Sequence, residues 1–224
     1  MCRDMSKVSL FVMESPAGEE MQADYYQVEP VNREPSPRCP RCGRRTGQMV
    51  WQPPYRAELE LWGRNWSDIC FGGASELLVS ERFRHWYRDE VLTGMEGFDP
   101  VEITRVRRHK ALLGPQPAYY VVTVPTGNAA IDQAASGLER KDGKLDKLPV
   151  CPLCRTGGLM LRIRRVILEA DTWSGEDVFR ARGLSAIIVT SRFQQLAVES
   201  GILGALFVPA SEYQVDYYPS RNAH

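Results

Sequence analysis

Ser75-Glu-Leu-Leu-Val79-Ser80-Glu-Arg82-Phe83 and Ser185-Ala-Ile-Ile-Val189-Thr190-Ser-Arg192-Phe193 are one pattern written twice, 110 positions apart. In each, a short apolar run ends at a hydroxyl residue followed by Arg and Phe. The run predicts a buried strand. Ser80 and Thr190 predict helix N-caps, because a side-chain oxygen there accepts a hydrogen bond from a free first-turn N–H. Helices are expected over residues 81–92 and 191–200, with Phe83, Trp86 and Tyr87 on one core face and Phe193, Leu196 and Ala197 on the other. Gly94 and Gly201 are the expected helix stops.

The match extends in both directions. Downstream, Phe98-Asp-Pro100 matches Phe207-Val-Pro209; upstream, Trp66-Ser67-Asp68-Ile69 resembles Trp173-Ser174-Gly-Glu-Asp177-Val178. Further upstream each copy begins with a cysteine pair, Cys39-Pro-Arg-Cys42-Gly43 and Cys151-Pro-Leu-Cys154. The same order of landmarks in both halves predicts an internal duplication. The alternative is chance recurrence of a common strand–helix pattern. Further strands, rich in β-branched and aromatic residues, are expected at 8–13, 25–28, 57–62, 101–107, 119–124, 159–168 and 213–217.

The expected class is therefore α+β: two pseudo-repeats, each a knuckle, strands and one helix, around a mainly antiparallel sheet. One domain, 1–224, divides into N-terminal strands (1–38), a first pseudo-repeat (39–110), a connector (111–150) and a second pseudo-repeat (151–224).

Two residues between cysteines let both thiolates reach one ion about 2.3 Å away without backbone strain. Two knuckles supply four sulfurs, the complement of a closed structural zinc site. Cys39, Cys42, Cys151 and Cys154 are thus the expected ligands of one structural zinc, in a zinc-ribbon-like site that clamps the two copies together. Free thiols or a redox pair are the alternatives. Gly43 suits the turn after the first knuckle; Arg155 stands where the second would have glycine, so that turn must close differently or under strain. Cys70, between Ile69 and Phe71, reads as a buried small hydrophobe.

With 224 residues, 43% hydrophobic and 25% charged, the chain can bury a real core, which excludes disorder as the main state. Its 28 basic and 28 acidic side chains cancel, arguing against a protein devoted to wrapping nucleic acid. No apolar run has signal-peptide or membrane-spanning length, so a cytoplasmic protein without membrane association is expected. The three histidines, His85, His109 and His224, stand in no metal or nucleophile motif. A closed four-sulfur site leaves zinc no position for water, and no enzyme activity is expected.

Charge is uneven along the chain. Residues 1–34 hold seven acidic side chains against Arg3, Lys7 and Arg33, and Glu14, Glu19, Glu20 and Asp24 are the candidate face for a basic partner protein. Arg38, Arg41, Arg44 and Arg45 surround the first knuckle and suggest the rival reading, a zinc-ribbon nucleic-acid binder or transcriptional accessory protein.

The paired knuckles, together with the run from Thr172 to Phe193, resemble the double-CXXCG motif proteins of myxobacteria, a family that includes SitI-type immunity proteins. The resemblance covers most of the chain from Cys39 onward and is strongest between Cys151 and Pro209; Arg155 is its departure from the second CXXCG. It implies an immunity protein of a polymorphic toxin system, one that binds a cognate toxin, for example a nuclease, and neutralises it by direct contact in kin discrimination. Such a task asks for a rigid platform with a complementary surface.

Overall fold

The computed structural model describes residues 8–18, 21–47, 49–72, 76–141 and 149–218. The first part of the chain forms β1 (Leu10–Glu14), β2 (Ala23–Gln27), β3 (Asn32–Glu34), β4 (Val50–Gln52), β5 (Arg56–Leu61), β6 (Ile69–Gly72), β7 (Glu76–Ser80), α1 (Glu81–Asp89) and β8 (Glu96–Arg108). The second part forms β9 (Tyr119–Thr123), β10 (Thr126–Ala130), β11 (Glu139–Lys141), β12 (Leu159–Ile163), β13 (Val178–Arg182), β14 (Ile187–Thr190), α2 (Ser191–Glu199), β15 (Leu206–Pro209) and β16 (Val215–Asp216). The class is α+β, with strands far outnumbering the two helices among the described residues.

The strands make several sheets rather than one. β2, β5, β8, β9, β7 and β6 close a barrel, filled by Tyr25, Leu59, Cys70, Leu78 and Tyr119. Five more strands form a sheet in the order β10, β13, β14, β1, β15. Most pairs are antiparallel, but β2 with β6, β5 with β8 and β10 with β13 run parallel. Small sheets β3–β4 and β11–β12–β16 flank the cysteine pairs, which lie in the β3–β4 and β11–β12 loops.

The first strand of each part is exchanged. β1, at the start of the chain, lies between β14 and β15, with Leu10 opposite Thr190 and Phe11 opposite Pro209. β9 lies between β7 and β8, with Tyr119 opposite Ser80 and Tyr120 opposite Pro100. A strand from each part therefore completes the other part's sheet, and neither sheet is whole without both.

The two helices meet in a shared core, Trp86 packing edge-on against Phe193 with centroids 5.5 Å apart and Phe83 at 6.5 Å from the same ring. Phe83, Trp86, Tyr87, Phe193 and Ala197 are buried, while Leu196 packs on the cluster half-buried. Ser80 and Thr190 cap as expected, accepting the N–H groups of Phe83 (3.1 Å) and Phe193 (3.3 Å).

α2 runs as expected to its cap at Ser200 and the left-handed Gly201 (φ 61°), but α1 is shorter than its periodicity suggests. α1 ends at Asp89, and the left-handed stop is Val91 (φ 51°), not Gly94. Leu92 N–H reaches Tyr87 O and Val91 N–H reaches Arg88 O, a pair of bonds repeated by Ile202 and Gly201 after α2. Gly94 and Gly204 serve another purpose. An added Cβ at Gly94 would lie 1.8 Å from the carbonyl oxygen of Val178, and at Gly204 2.1 Å from that of Ile69. Each glycine lets the backbone of one part press against that of the other.

Elsewhere, the stretch expected as a strand over 159–168 stops at Ile163 and resumes only as an isolated Ile131–Leu168 bridge. The expected connector contains β10, which pairs with β13, and β11, which pairs with β12. Thr-Gly-Asn-Ala-Ala carries no strong strand signal; its pairing is imposed by the neighbouring strand. Among the described residues no helix is long and apolar enough to cross a membrane.

Candidate metal centre

Proline after each first cysteine presets a tight turn. Gly43 N–H closes the first knuckle on Cys39 O at 2.8 Å, and Arg155 N–H closes the second on Cys151 O at 2.9 Å. Both residues are left-handed, Gly43 at φ 71° and Arg155 at φ 61°. The second turn therefore closes like the first, with a side chain carrying the strain that glycine avoids, about 1–2 kcal/mol. Two contacts offset it: Arg155 Nη2 pairs with Glu169 at 2.6 Å, and Arg155 O accepts from Arg140 at 3.1 Å.

The knuckles meet tip to tip. Cys39 and Cys151 sulfurs are 4.0 Å apart, Cys42 and Cys154 sulfurs 3.7 Å, and all four lie within 4.8 Å of one another. Four sulfurs at about 2.3 Å from a tetrahedral ion stand about 3.8 Å apart, so the donor set fits a zinc-sized cation. Cys39, Cys151 and Cys154 are buried and Cys42 is exposed. Backbone N–H groups of Arg41 and Cys42 point to the Cys39 sulfur, and those of Leu153 and Cys154 to the Cys151 sulfur.

The electrostatics ask for a cation. The Cys154 N–H, against desolvation and helped by that of Leu153, draws the Cys151 thiol down to about 6. Cys42 goes the other way, up to about 11: the Arg44 N–H pulls it down, but desolvation and the neighbouring sulfurs outweigh that donor. Thiolates this close repel one another, and a divalent ion removes the conflict.

Arginines tie the two knuckles together. Arg44 of the first donates to Pro149 O (3.1 Å) and Thr156 O (2.5 Å) of the second. Arg182 donates to Leu153 O at 3.0 Å, and Arg38 to Gly43 O at 2.9 Å. Thr156 Oγ1 lies 2.8 Å from the Cys154 sulfur. None of these supporting residues is distinguishable in the sequence from a solvated arginine, except that Arg44 and Arg38 flank a knuckle.

The acidic candidates are placed apart in the topology. Glu14 ends β1 in the five-stranded sheet, half-buried, with its carboxyl raised by desolvation. Asp24 sits on β2 of the barrel and accepts Gln22 Nε2 at 3.1 Å. Glu19 and Glu20 lie outside the described residues. His85 is exposed on α1, while His109 stacks on Trp62 at 4.9 Å and meets Glu60 at 3.0 Å. His224 lies outside the described residues. Cys70 is fully buried, as its apolar neighbours indicate.

Fold and site together define a strand-rich α+β protein with a four-cysteine, metal-competent centre assembled from distant parts of the chain. No protein-family model matches the chain, and no curated protein matches it significantly.

Proposed function

We propose that this protein is an immunity protein that binds and neutralises a cognate polymorphic toxin, and that its four cysteines hold one structural zinc pinning two pseudo-repeats. The observation that carries the reading is the meeting of Cys39 with Cys151 and of Cys42 with Cys154, partners 112 positions apart. These are the knuckles on which the resemblance to double-CXXCG proteins rests. Zinc, when bound, supplies charge neutralisation and cross-linking, and with four sulfur donors it is a fold-holding ion. Matched bonds on the two sides, such as those of Ser80 and Thr190 or of Leu92 and Ile202, support the pseudo-repeat reading.

The duplicated, pinned frame is a platform rather than a machine, and affinity on such a platform comes from a few anchors ringed by steering charges. Co-expression with the product of the adjacent toxin gene tests this: rescue of growth and a stable complex are expected. Failure against every neighbouring candidate, with steeply salt-dependent retention on DNA or RNA, would establish the nucleic-acid reading instead.

A further inference from the structure

Between β4, the start of β8 and the two knuckles runs a groove of about 1340 Å³, and its two ends differ in charge. At the sulfur end, Arg38, Arg140 and Arg182 donate to carbonyls of the knuckle turns, beside thiolates that keep negative charge even when a divalent ion is bound. At the far end stand Glu76, Glu96 and Asp99 with the rings of Trp51 and Tyr55. Trp51 and Tyr55 are perpendicular, centroids 5.2 Å apart, and so make two walls of a corner.

Glu76 is the telling residue. It is a charged side chain opening an otherwise apolar strand, 2% exposed, on the groove wall. Its Oε1 accepts the Trp51 backbone N–H at 2.9 Å, while its Oε2 has no hydrogen-bond partner among the described residues. A buried carboxylate oxygen without a donor is costly unless something brings one. The 110-residue offset places Ala186 opposite Glu76 and Phe71 lies opposite Arg180 on the strand before, so the polar pair belongs to one side only. Arg180, bonded to Ser185 O, also lines the groove and feels the field of Glu76. The Tyr55 phenol is raised first by desolvation and then by the charges of Asp99, Glu76 and Glu34.

We propose that this acidic, aromatic end of the groove receives a basic side chain, arginine in preference to lysine, from an extended segment of a partner protein. A planar guanidinium stacks on a tyrosine face and donates to carboxylates at its edge, which an ammonium does less well. The identity of that partner rests on the immunity reading; the cation site itself does not.

The probe is N-acetyl-arginine amide, titrated against the whole protein with the Trp51 indole N–H followed by NMR, and its uncharged isostere, the citrulline derivative, as control. A saturable shift in the millimolar range is expected for arginine and none for citrulline. Glu76→Gln, which keeps an acceptor for Trp51 N–H, and the surface change Asp99→Asn should each weaken binding at least about fivefold without lowering the melting temperature. Equal shifts for both ligands, or none for arginine, overturn the proposal. Saturable arginine binding without growth rescue would reject the immunity reading alone; rescue with no arginine shift would reject the site alone.

Discussion

Asp177 accepts the backbone N–H of Thr93, 84 positions earlier, at 3.1 Å, and binds that residue's hydroxyl at 3.2 Å with the same oxygen. Its other oxygen takes the Thr190 hydroxyl, while Arg192 pairs at 3.0 Å with the oxygen that holds Thr93. Asp68 does the same on the other side, holding Leu203 N–H (3.0 Å), the Ser80 hydroxyl (2.6 Å) and Arg82 (3.0 Å). Each buried carboxylate fastens its own helix cap to the loop leaving the opposite helix. Removing Asp177 strands four donors at once, and removing Asp68 strands three. Asp177→Ala and Asp68→Ala should each cost about 3 kcal/mol or more, read from urea midpoints, because a buried network loses the carboxylate that several donors share. Arg192→Ala and Arg82→Ala should cost at most about 1 kcal/mol, since both side chains are well reached by water (40% and 56% exposed). Equal losses for acid and arginine variants would contradict this.

Gly94 and Gly204 tolerate no side chain. With backbone oxygens at 1.8 and 2.1 Å from the added Cβ, alanine at either position must push the two parts of the protein apart. A loss of at least about 3 kcal/mol is expected for each. Gly201→Ala, at φ 61° with open space around the added atom, should cost only about 1–2 kcal/mol. Thermal melts of the three variants separate close approach from simple backbone preference.

Val91→Gly should stabilise. Its side chain is 74% exposed and packs on little, yet a β-branched residue holds the left-handed stop of α1. Glycine removes that strain and gives back some in unfolded-state entropy, leaving a gain of about 0.5–1 kcal/mol. A lower denaturation midpoint for this variant would show that the α1 terminus is held by something other than its backbone.

Metal content and stability should move together. Purified protein should carry one zinc per chain, and Cys39→Ser or Cys151→Ser should abolish it and lower the unfolding midpoint strongly, as should a chelator. Arg155 offers a finer test. Arg155→Ala keeps the left-handed strain and loses the Glu169 pair, whereas Arg155→Gly loses the pair and relieves the strain. Zinc affinity should therefore fall more in the alanine variant, measured by competition with a chromogenic chelator.

Alkaline pH should unfold the protein cooperatively. Burial raises Tyr25, Tyr119 and Tyr213 well above the ordinary phenol range, and pushes Tyr87 up to about 12. In the unfolded chain these phenols ionise near pH 10, so the folded state binds more protons above that value and stability falls as pH rises through it. Absorbance at 295 nm should show a late, cooperative step coincident with loss of structure between about pH 10 and 12. Smooth titration of every tyrosine near 10 with the fold intact would refute it.

The local pieces were legible in the chain. An apolar strand ending in Ser80 or Thr190 is read from hydrogen-bond chemistry that acts within four residues, and it appears in the structure with the expected caps. Cysteine spacing likewise pointed to all four sulfurs, because each knuckle is a local turn, whereas the meeting of knuckles 112 positions apart is tertiary. Val91 misled because a left-handed stop normally advertises itself with glycine, and Gly94, three positions on, offered a plausible substitute.

What only the tertiary structure decided is where strands of weak signal pair and which charged groups are withdrawn from water. β10 is a strand because β13 lies beside it, and β1 belongs to a sheet whose other members, from β10 (Thr126–Ala130) to β15 (Leu206–Pro209), all come from the second part of the chain. Glu76, Asp68 and Asp177 look like ordinary acids until distant backbone closes over them. Residue type and spacing govern turns, caps and metal knuckles, whose energies are settled between near neighbours. Burial, exchange of strands and the fields inside a groove depend on segments that meet only when the chain has folded.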